Sequence, residues 1–239
     1  MYKLNWVPLP VLQKALIEKK HREISLFLFL KMTNSGRVKI KGCKKSEILQ
    51  VLQIDETTLY RWIKELKEWD WVGYDSNTKT YFIRGFNHIH VIEGFKSRTA
   101  ARIRMEDLFH IQSFSFSVCL GFLLRAQSRR NRRGAEQKTR SSKQSPATFY
   151  KPVAIKAMNK IFELSKDTLI KLKNLSLNAG YIKREKGYKR LYHVSKHSKE
   201  IYRVYPELWG RLRRDGSYIA IQGPDLFIDF HLYKRKKWR

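Results

Sequence analysis

Cysteine is scarce in this sequence, and its start lacks the pattern of a secretory signal. The 239 residues include only Cys43 and Cys119, so we expect no disulfide framework and a reducing compartment. Residues 1–10 have neither the basic start nor the apolar core of a signal peptide. The sequence therefore predicts a cytoplasmic protein.

Long hydrophobic runs are also lacking. A membrane-spanning helix needs about 20 consecutive apolar residues. The apolar run at residues 24–30 is shorter than that. Polar side chains interrupt the second run, at residues 108–124, namely His110, Gln112, Ser113, Ser115 and Ser117. Both runs predict buried helices, and we expect no membrane partner.

Acidic residues are few, and the sequence motifs of common enzymes are missing. There is no Walker-type glycine loop, no nucleophile elbow and no paired-carboxylate motif. A two-metal nuclease or polymerase site needs a carboxylate cluster, which 21 acidic residues in 239 do not provide here. A tyrosine nucleophile is the alternative that stays open. We expect no enzyme, no cofactor and no small-molecule substrate.

One short histidine motif raises the question of a metal. His88 and His90 form a His-x-His sequence, with no cysteine nearby in sequence to complete a zinc site. Alternation along a β-strand explains this spacing better than metal binding. The sequence therefore predicts no metal site.

Positive charge is the most abundant feature. Fifty Lys and Arg residues against 21 Asp and Glu give a formal net charge of +29 and a pI of about 10.2. Hydrophobic residues make up 42% of the chain, which is too many for a disordered polybasic tail. The length allows two small domains, each with its own core. This charge on a folded protein indicates a polyanionic partner, DNA above all.

A pattern of elements occurs twice in the chain. Residues 46–84 align without gaps on residues 156–194. Only three pairs are identical, namely Thr58 with Thr168, Leu59 with Leu169, and Lys79 with Lys189. The stronger signal is the common order of elements, which is a short helix, a tight turn, a longer helix and two strands joined by a polar turn.

The first copy is predicted from hydrophobic periodicity and cap signals. Residues 9–32 are expected to be helical with a break near 20–22, and residues 37–41 to form an edge strand. Helices are expected at residues 46–52 and 56–68, the second capped by Asp55. Strands 71–74 and 80–84 are joined by the loop 75–79.

The second copy follows an apolar helix, expected at residues 107–127. A basic insertion at residues 128–147 has the composition of a mobile loop. A helix is expected from Pro152 to about residue 162, then a second helix capped by Ser165 and ending at Gly180. Residues 181–185 and 190–194 are expected to form a hairpin. Beyond residue 195 we expect a helix at 201–212 and strands at 218–221 and 226–230.

The predicted fold class is mostly α with small β-hairpins (α+β), in two tandem winged helix-turn-helix domains. The first domain is expected at residues 1–86 and the second at 107–194, the latter with a basic loop at 128–147. Residues 87–106 are a basic linker or an interdomain helix in this scheme, and residues 195–239 a basic C-terminal extension.

A helix-turn-helix inserts its second helix into the major groove, and a hairpin wing reaches the phosphates. Arg61 suits a bidentate guanine contact, and Asn174 suits adenine. Asp167 lies on the same face as Asn174. The predicted DNA-binding residues are Thr57, Thr58, Tyr60, Arg61, Lys64, Lys67, Lys79, Arg84, Lys166, Thr168, Lys171, Asn174, Lys183, Arg184, Lys186, Lys189 and Arg190.

This arrangement resembles that of plasmid and phage replication initiators, which carry two winged helices in tandem and bind repeated origin sequences. The resemblance covers residues 9–194 and implies recognition helices at 56–67 and 166–178, with wings at 75–79 and 185–190. It implies a sequence-specific binder of double-stranded DNA, in the cytoplasm and associated with the nucleoid. A transcriptional regulator, an RNA-binding protein and an architectural DNA-binding protein are the alternatives. Self-association stays open.

Overall fold

The computed structural model describes residues 5–97, 99–136, 151–185, 188–193, 212–215, 218–222 and 226–229. It is mostly helical with small antiparallel sheets, so the α+β class is confirmed. The described residues divide into two compact units, those up to Phe122 and those from Leu123 onward. Within the described residues, no helix is long and apolar enough to span a membrane.

The first unit holds most of the described helices. Its elements in chain order are β1 (Asn5–Pro8), α1 (Leu9–Ile17), α2 (His21–Thr33), β2 (Arg37–Val38), α3 (Gly42–Leu52), α4 (Glu56–Glu68), β3 (Val72–Asp75), β4 (Thr80–Ile83), α5 (Phe86–Ile92), β5 (Ala100–Ile103) and a short 3-10 turn (Glu106–Leu108). The break between α1 and α2 lies at Lys19, which has a positive φ of 57°, close to the predicted position.

Helix α2 forms the centre of this unit's core. Every residue from Ile24 to Leu30 is buried, as expected of that apolar run. The Phe27 ring lies edge-on to Trp71, with 5.1 Å between centroids, and to Phe86 at 5.9 Å. The aromatic contacts join α2 to the segments on either side of the β3–β4 hairpin, so this hairpin is anchored to the core.

The three-stranded sheet of the first unit has the strand order β2-β4-β3, with all pairs antiparallel. Strands β3 and β4 form the predicted hairpin, with Tyr74 opposite Tyr81. Strand β2 is an edge strand, as predicted, but it is only two residues long. Helix α3 begins at Gly42 rather than at residue 46.

The segment 87–106 is not a linker. Strand β5 pairs with β1, with Asn5 opposite Ile103 and Pro8 opposite Ala100. Ala100 and Ile103 are fully buried, so this segment completes the first unit. His88 and His90 lie on helix α5, which corrects the predicted strand. The pairing joins two strands that are far apart in sequence, a separation over which local periodicity carries no information.

Helix α6 runs from Ile111 to Glu136 and is longer than expected at its C-terminal end. The basic insertion at 128–147 was predicted to be a loop, but its first part, residues 128–136, continues this helix. Arginine and alanine are good helix formers, and the first proline after Ile111 is Pro146. The remainder of the insertion, residues 137–147, lies outside the described residues.

The described part of the second unit holds the end of α6, α7 (Ile155–Phe162), α8 (Lys166–Asn178) and six strands. The strands are β6 (Lys151–Pro152), β7 (Ile182–Glu185), β8 (Tyr188–His193), β9 (Leu212–Asp215), β10 (Tyr218–Gln222) and β11 (Leu226–Asp229). Pro152 lies in β6 instead of opening a helix, and β6 is an edge strand, where proline costs no ladder hydrogen bond.

Outcomes for the C-terminal extension are mixed. The strands expected at 218–221 and 226–230 are present as β10 and β11. Leu212 begins strand β9 rather than ending a helix. The remainder of that predicted helix, residues 201–211, lies outside the described residues.

The hairpin predicted at 181–194 does not form. Strand β7 pairs with β11, in a sheet of order β6-β11-β7, and β8 pairs with β10, in a separate sheet of order β8-β10-β9. Phe227 on β11 is 1% exposed, and Ile182 on β7 is buried. An apolar strand near the C-terminus thus completes the first of these sheets, and residues 186–225 form an insertion between its two neighbouring strands.

When residue 46 is aligned with residue 156, several elements of the two units fall at corresponding positions. Gln53 and Glu163 end the short helices with φ values of 51° and 53°. At this same offset the bounds of α4 fall on those of α8, and the bounds of β3 fall on those of β7. Beyond β7 the correspondence ends, because β11 and not β8 occupies the place that β4 has in the first sheet.

Replacing Phe227 by Ala tests this non-local pairing. We expect the free energy of unfolding to fall by about 3–5 kcal/mol, as for other buried phenylalanines. Phe109→Ala is the control, because Phe109 is 53% exposed and its loss should change stability by less than about 0.5 kcal/mol. Urea denaturation measures both variants. A near-neutral Phe227→Ala would mean that the local hairpin forms instead.

Candidate nucleic-acid interface

Helices α4 and α8 begin with the same side-chain cap. Asp55 Oδ1 accepts a hydrogen bond from the Thr58 backbone amide at 2.7 Å, and Asp55 Oδ2 accepts one from the Thr58 hydroxyl at 3.0 Å. Ser165 Oγ accepts a hydrogen bond from the Thr168 backbone amide at 3.3 Å and lies 2.9 Å from the Thr168 hydroxyl oxygen. Both predicted caps are confirmed. The hydroxyls of Thr58 and Thr168, predicted DNA contacts, are used within the caps.

Each of these helices has one buried and one exposed face. Helix α4 buries Leu59, Trp62, Ile63 and Leu66, and helix α8 buries Leu169, Leu172, Lys173 and Ser176. The exposed residues include most of the predicted base-contacting set, namely Thr57, Tyr60, Arg61, Lys64 and Lys67 on α4, and Lys166, Asp167, Lys171 and Asn174 on α8. On each helix the predicted side chains therefore lie together on the solvent face.

The exposed face of α8 borders a shallow open space of about 400 Å³, and all the described residues that line it belong to this helix. The described residues that line it are Asp167, Ile170, Lys171, Asn174, Leu175 and Asn178. The amides of Asn174 and Asn178 and the ammonium of Lys171 provide donors and acceptors next to apolar surface. Such a surface suits the edge of a base pair, where polar groups and a thymine methyl lie side by side.

The β3–β4 hairpin has an ordered, exposed tip. The Asp75 carboxylate accepts hydrogen bonds from the Asn77 amide at 3.0 Å and the Thr78 hydroxyl at 2.7 Å. Lys79 has a positive φ of 51° and is exposed. The hairpin thus places Lys79, which was predicted to reach a phosphate, at its exposed tip.

Arg84, the second predicted wing residue of the first unit, has an internal partner. Its Nη2 and Nε donate to Asp70 Oδ1 at 3.0 and 3.2 Å. His88 Nε2 lies 2.7 Å from Asp70 Oδ2. Asp70 itself has a positive φ of 51°, at the position where the second unit has Gly180. The ion pair holds this left-handed residue, so Arg84 orients the start of the hairpin.

The histidines of α5 also have local partners. His88 contacts Asp70, and His90 Nε2 lies 3.2 Å from the Ser97 carbonyl oxygen. The described residues contain no group of three or more His, Cys, Asp or Glu side chains placed to hold a metal ion. Nothing in the sequence indicated that Asp70 is the partner of His88, because Asp70 follows α4 and lies 18 residues earlier in the chain.

The basic residues predicted for the second wing are spread over two sheets. Lys183 and Arg184 are exposed on β7. Lys189 and Arg190 belong to β8, in the other sheet, and Lys186 lies outside the described residues. The charge nevertheless concentrates in this half of the sequence, because residues 123–239 contain 30 basic and 9 acidic residues, against 20 and 12 in residues 1–122.

Comparisons of the chain with models of protein families, with curated proteins and with solved structures gave no match.

The Asp70 cluster predicts a pH dependence of stability. The hydrogen bond from His88, together with that from Arg84, holds the pKa of Asp70 below its ordinary value. The ionised carboxylate therefore stabilises the fold above the unfolded-state pKa of about 3.9, and this contribution is lost as the pH falls through the lower folded-state pKa.

We expect the free energy of unfolding to decrease below about pH 4, and Asp70→Asn to reduce this decrease. Asn is the matched substitution because it also tolerates a positive φ. Chemical denaturation at several pH values measures the slope. An Asp70→Asn variant with the slope of the unaltered protein would show that the cluster does not couple protonation to folding.

Proposed function

We propose that this protein is a sequence-specific binder of double-stranded DNA, built from two winged helix-turn-helix units, and that it serves as a replication initiator of the plasmid or phage type. The observation that carries the proposal is the repeated element. In both units a short helix ends in a left-handed residue, and a capped second helix and a strand follow at the same offset. A three-stranded antiparallel sheet flanks the second helix in each unit, although its other two strands do not keep that offset.

The solvent faces of α4 and α8 have the chemistry that base recognition requires. The major groove of B-DNA admits an α-helix and displays a different set of donors and acceptors for each base pair. Arg61 presents two parallel donors to guanine N7 and O6. Asn174 presents one donor and one acceptor to adenine, beside Lys171. Because the two faces differ, the expected site is asymmetric.

The two halves of the chain differ in net positive charge, and we assign them different roles in binding DNA. Phosphate contacts supply most of the affinity for DNA, and base contacts supply the specificity. The excess of 21 basic residues in positions 123–239 favours this half for the phosphate contacts. Exposed Lys183 and Arg184 on β7 are the described residues that we assign to this role.

Two alanine variants test base reading. In selections from random duplex DNA, Arg61→Ala and Asn174→Ala should each relax the preference at one or two positions and weaken the selected site by about 1–3 kcal/mol. The matched control is Lys183→Ala with Arg184→Ala, which should weaken selected and random duplexes alike. If Arg61→Ala and Asn174→Ala also weaken both DNAs alike, these helices do not read bases.

The selected sequence also separates the initiator from a regulator. An asymmetric sequence that recurs as direct repeats beside the gene supports initiation. A single palindrome favours a transcriptional regulator that binds as a symmetric dimer, because operator symmetry mirrors protein symmetry. Preferential binding of RNA, or binding of DNA without sequence preference, would overturn both functions.

A further inference from the structure

Three tyrosines of the first unit lie near one another, outside its core. Tyr60 is on the exposed face of α4, and Tyr74 and Tyr81 are cross-strand partners on β3 and β4. The rings of Tyr74 and Tyr81 have centroids 4.8 Å apart and planes tilted by 47°. Tyr60 is 41% exposed and Tyr74 is 43% exposed. We call these three residues the tyrosine surface.

The register of the hairpin explains why these rings are not part of the core. Val72 pairs with Ile83, and both side chains are buried. Tyr74 and Tyr81 lie two residues further along the strands on the same face, nearer the hairpin tip. Tyr81 is half-buried, and this burial, with the neighbouring phenols of Tyr60 and Tyr74, raises its pKa.

Cationic side chains border the tyrosine surface. Lys67 Nζ lies 5.5 Å from the centroid of the Tyr74 ring. Lys64 is one turn beyond Tyr60 on the exposed face of α4, so Tyr60, Lys64 and Lys67 form one stripe. Exposed aromatic rings next to flexible cations are the combination with which proteins bind single-stranded nucleic acid, by stacking bases and contacting phosphates.

The second unit does not repeat this surface. When α4 is aligned with α8 and β3 with β7, Ile170 stands in place of Tyr60, and Arg184 stands in place of Tyr74. The bounds of the helices and strands that carry these positions correspond between the units, so the difference lies in the side chains. The aromatic surface is therefore a separate feature of the first unit and is not required by the repeated fold.

We propose that the tyrosine surface binds an unpaired base of single-stranded DNA by stacking, with Lys64 and Lys67 on the adjoining phosphates. The inference rests on the proposed function, because it assigns a second form of DNA to the same helix. In an intact duplex both faces of each base are covered by neighbouring bases, and only the edges are accessible in the grooves. The tyrosine rings can therefore stack on an unpaired base, but not on a base within an intact duplex.

Binding of the full-length chain to labelled oligothymidylate, and to a duplex of equal length, tests the proposal by fluorescence anisotropy. Tyr60→Leu and Tyr74→Leu should each bind oligothymidylate about 5- to 150-fold more weakly, the range expected for loss of one stacked base. Tyr60→Phe and Tyr74→Phe retain the ring and should bind nearly as well as the unaltered chain. Phe109→Leu removes an exposed ring elsewhere in the first unit and should have no effect.

Each contrary result has a distinct meaning. Leu variants that bind oligothymidylate normally, or that lose duplex and single-strand affinity equally, would overturn the stacking role. Tighter ring-dependent binding of oligouridylate would overturn the assignment to DNA. If the unaltered chain binds no duplex, the proposed function fails, while the comparison of Leu and Phe variants on oligothymidylate still decides this inference. Thermal unfolding of each variant confirms that it is folded.

Discussion

Burial of one face of helix α4 determines which of its residues are available to a partner. Leu59, Trp62, Ile63 and Leu66 are all buried, and together they fix the rotation of the helix about its axis. The helix start is fixed by the Asp55 cap, and its end by Asp70, which is held by Arg84 and His88. A DNA-reading helix must present the same side chains on every encounter, and these contacts supply that constraint. The functional proposal depends on it.

The second unit uses the same framework with a different sheet. Its third strand, β11, begins at Leu226, far beyond the end of β7 at Glu185, and the intervening chain contains a further sheet of order β8-β10-β9. Insertions are accepted where they connect neighbouring strands at the edge of a fold, since loop closure costs little more for a long connection. The insertion follows β7, and at the corresponding place after β3 the first unit has only the short hairpin loop with Lys79. It also lies in the more basic half of the chain, which agrees with a role in holding phosphates.

Local signals in the sequence predicted the parts of the fold that depend on neighbouring residues. The caps Asp55 and Ser165 and the bounds of α4 and α8 followed from short-range periodicity and hydrogen-bonding chemistry. Pairings between distant residues could not be predicted. Strand β5 completes a sheet with β1, and β11 displaces β8, because each buries apolar side chains that only the folded chain brings together.

The candidate site shows the same division between local and distant information. The exposed faces of α4 and α8 were predicted because one helix presents each of them. Arg84 was assigned to phosphate from its charge alone, and its ion pair with Asp70 becomes visible only when β4 lies beside the end of α4. The tyrosine surface was missed because its members come from a helix and two strands. Three elements must be in place before these tyrosines lie near one another.

The central claim is that two different helices of one chain read bases in the major groove. Guanine-N7 methylation interference on a selected duplex tests it most directly, because N7 faces the major groove and is available there to an arginine or lysine. We predict two separate clusters of interfering guanines for one bound chain, one at the Arg61 contact and one beside Lys171, and loss of the first cluster when Arg61 is replaced by Ala. A single cluster that Arg61→Ala leaves unchanged, or no interference at all, would contradict it.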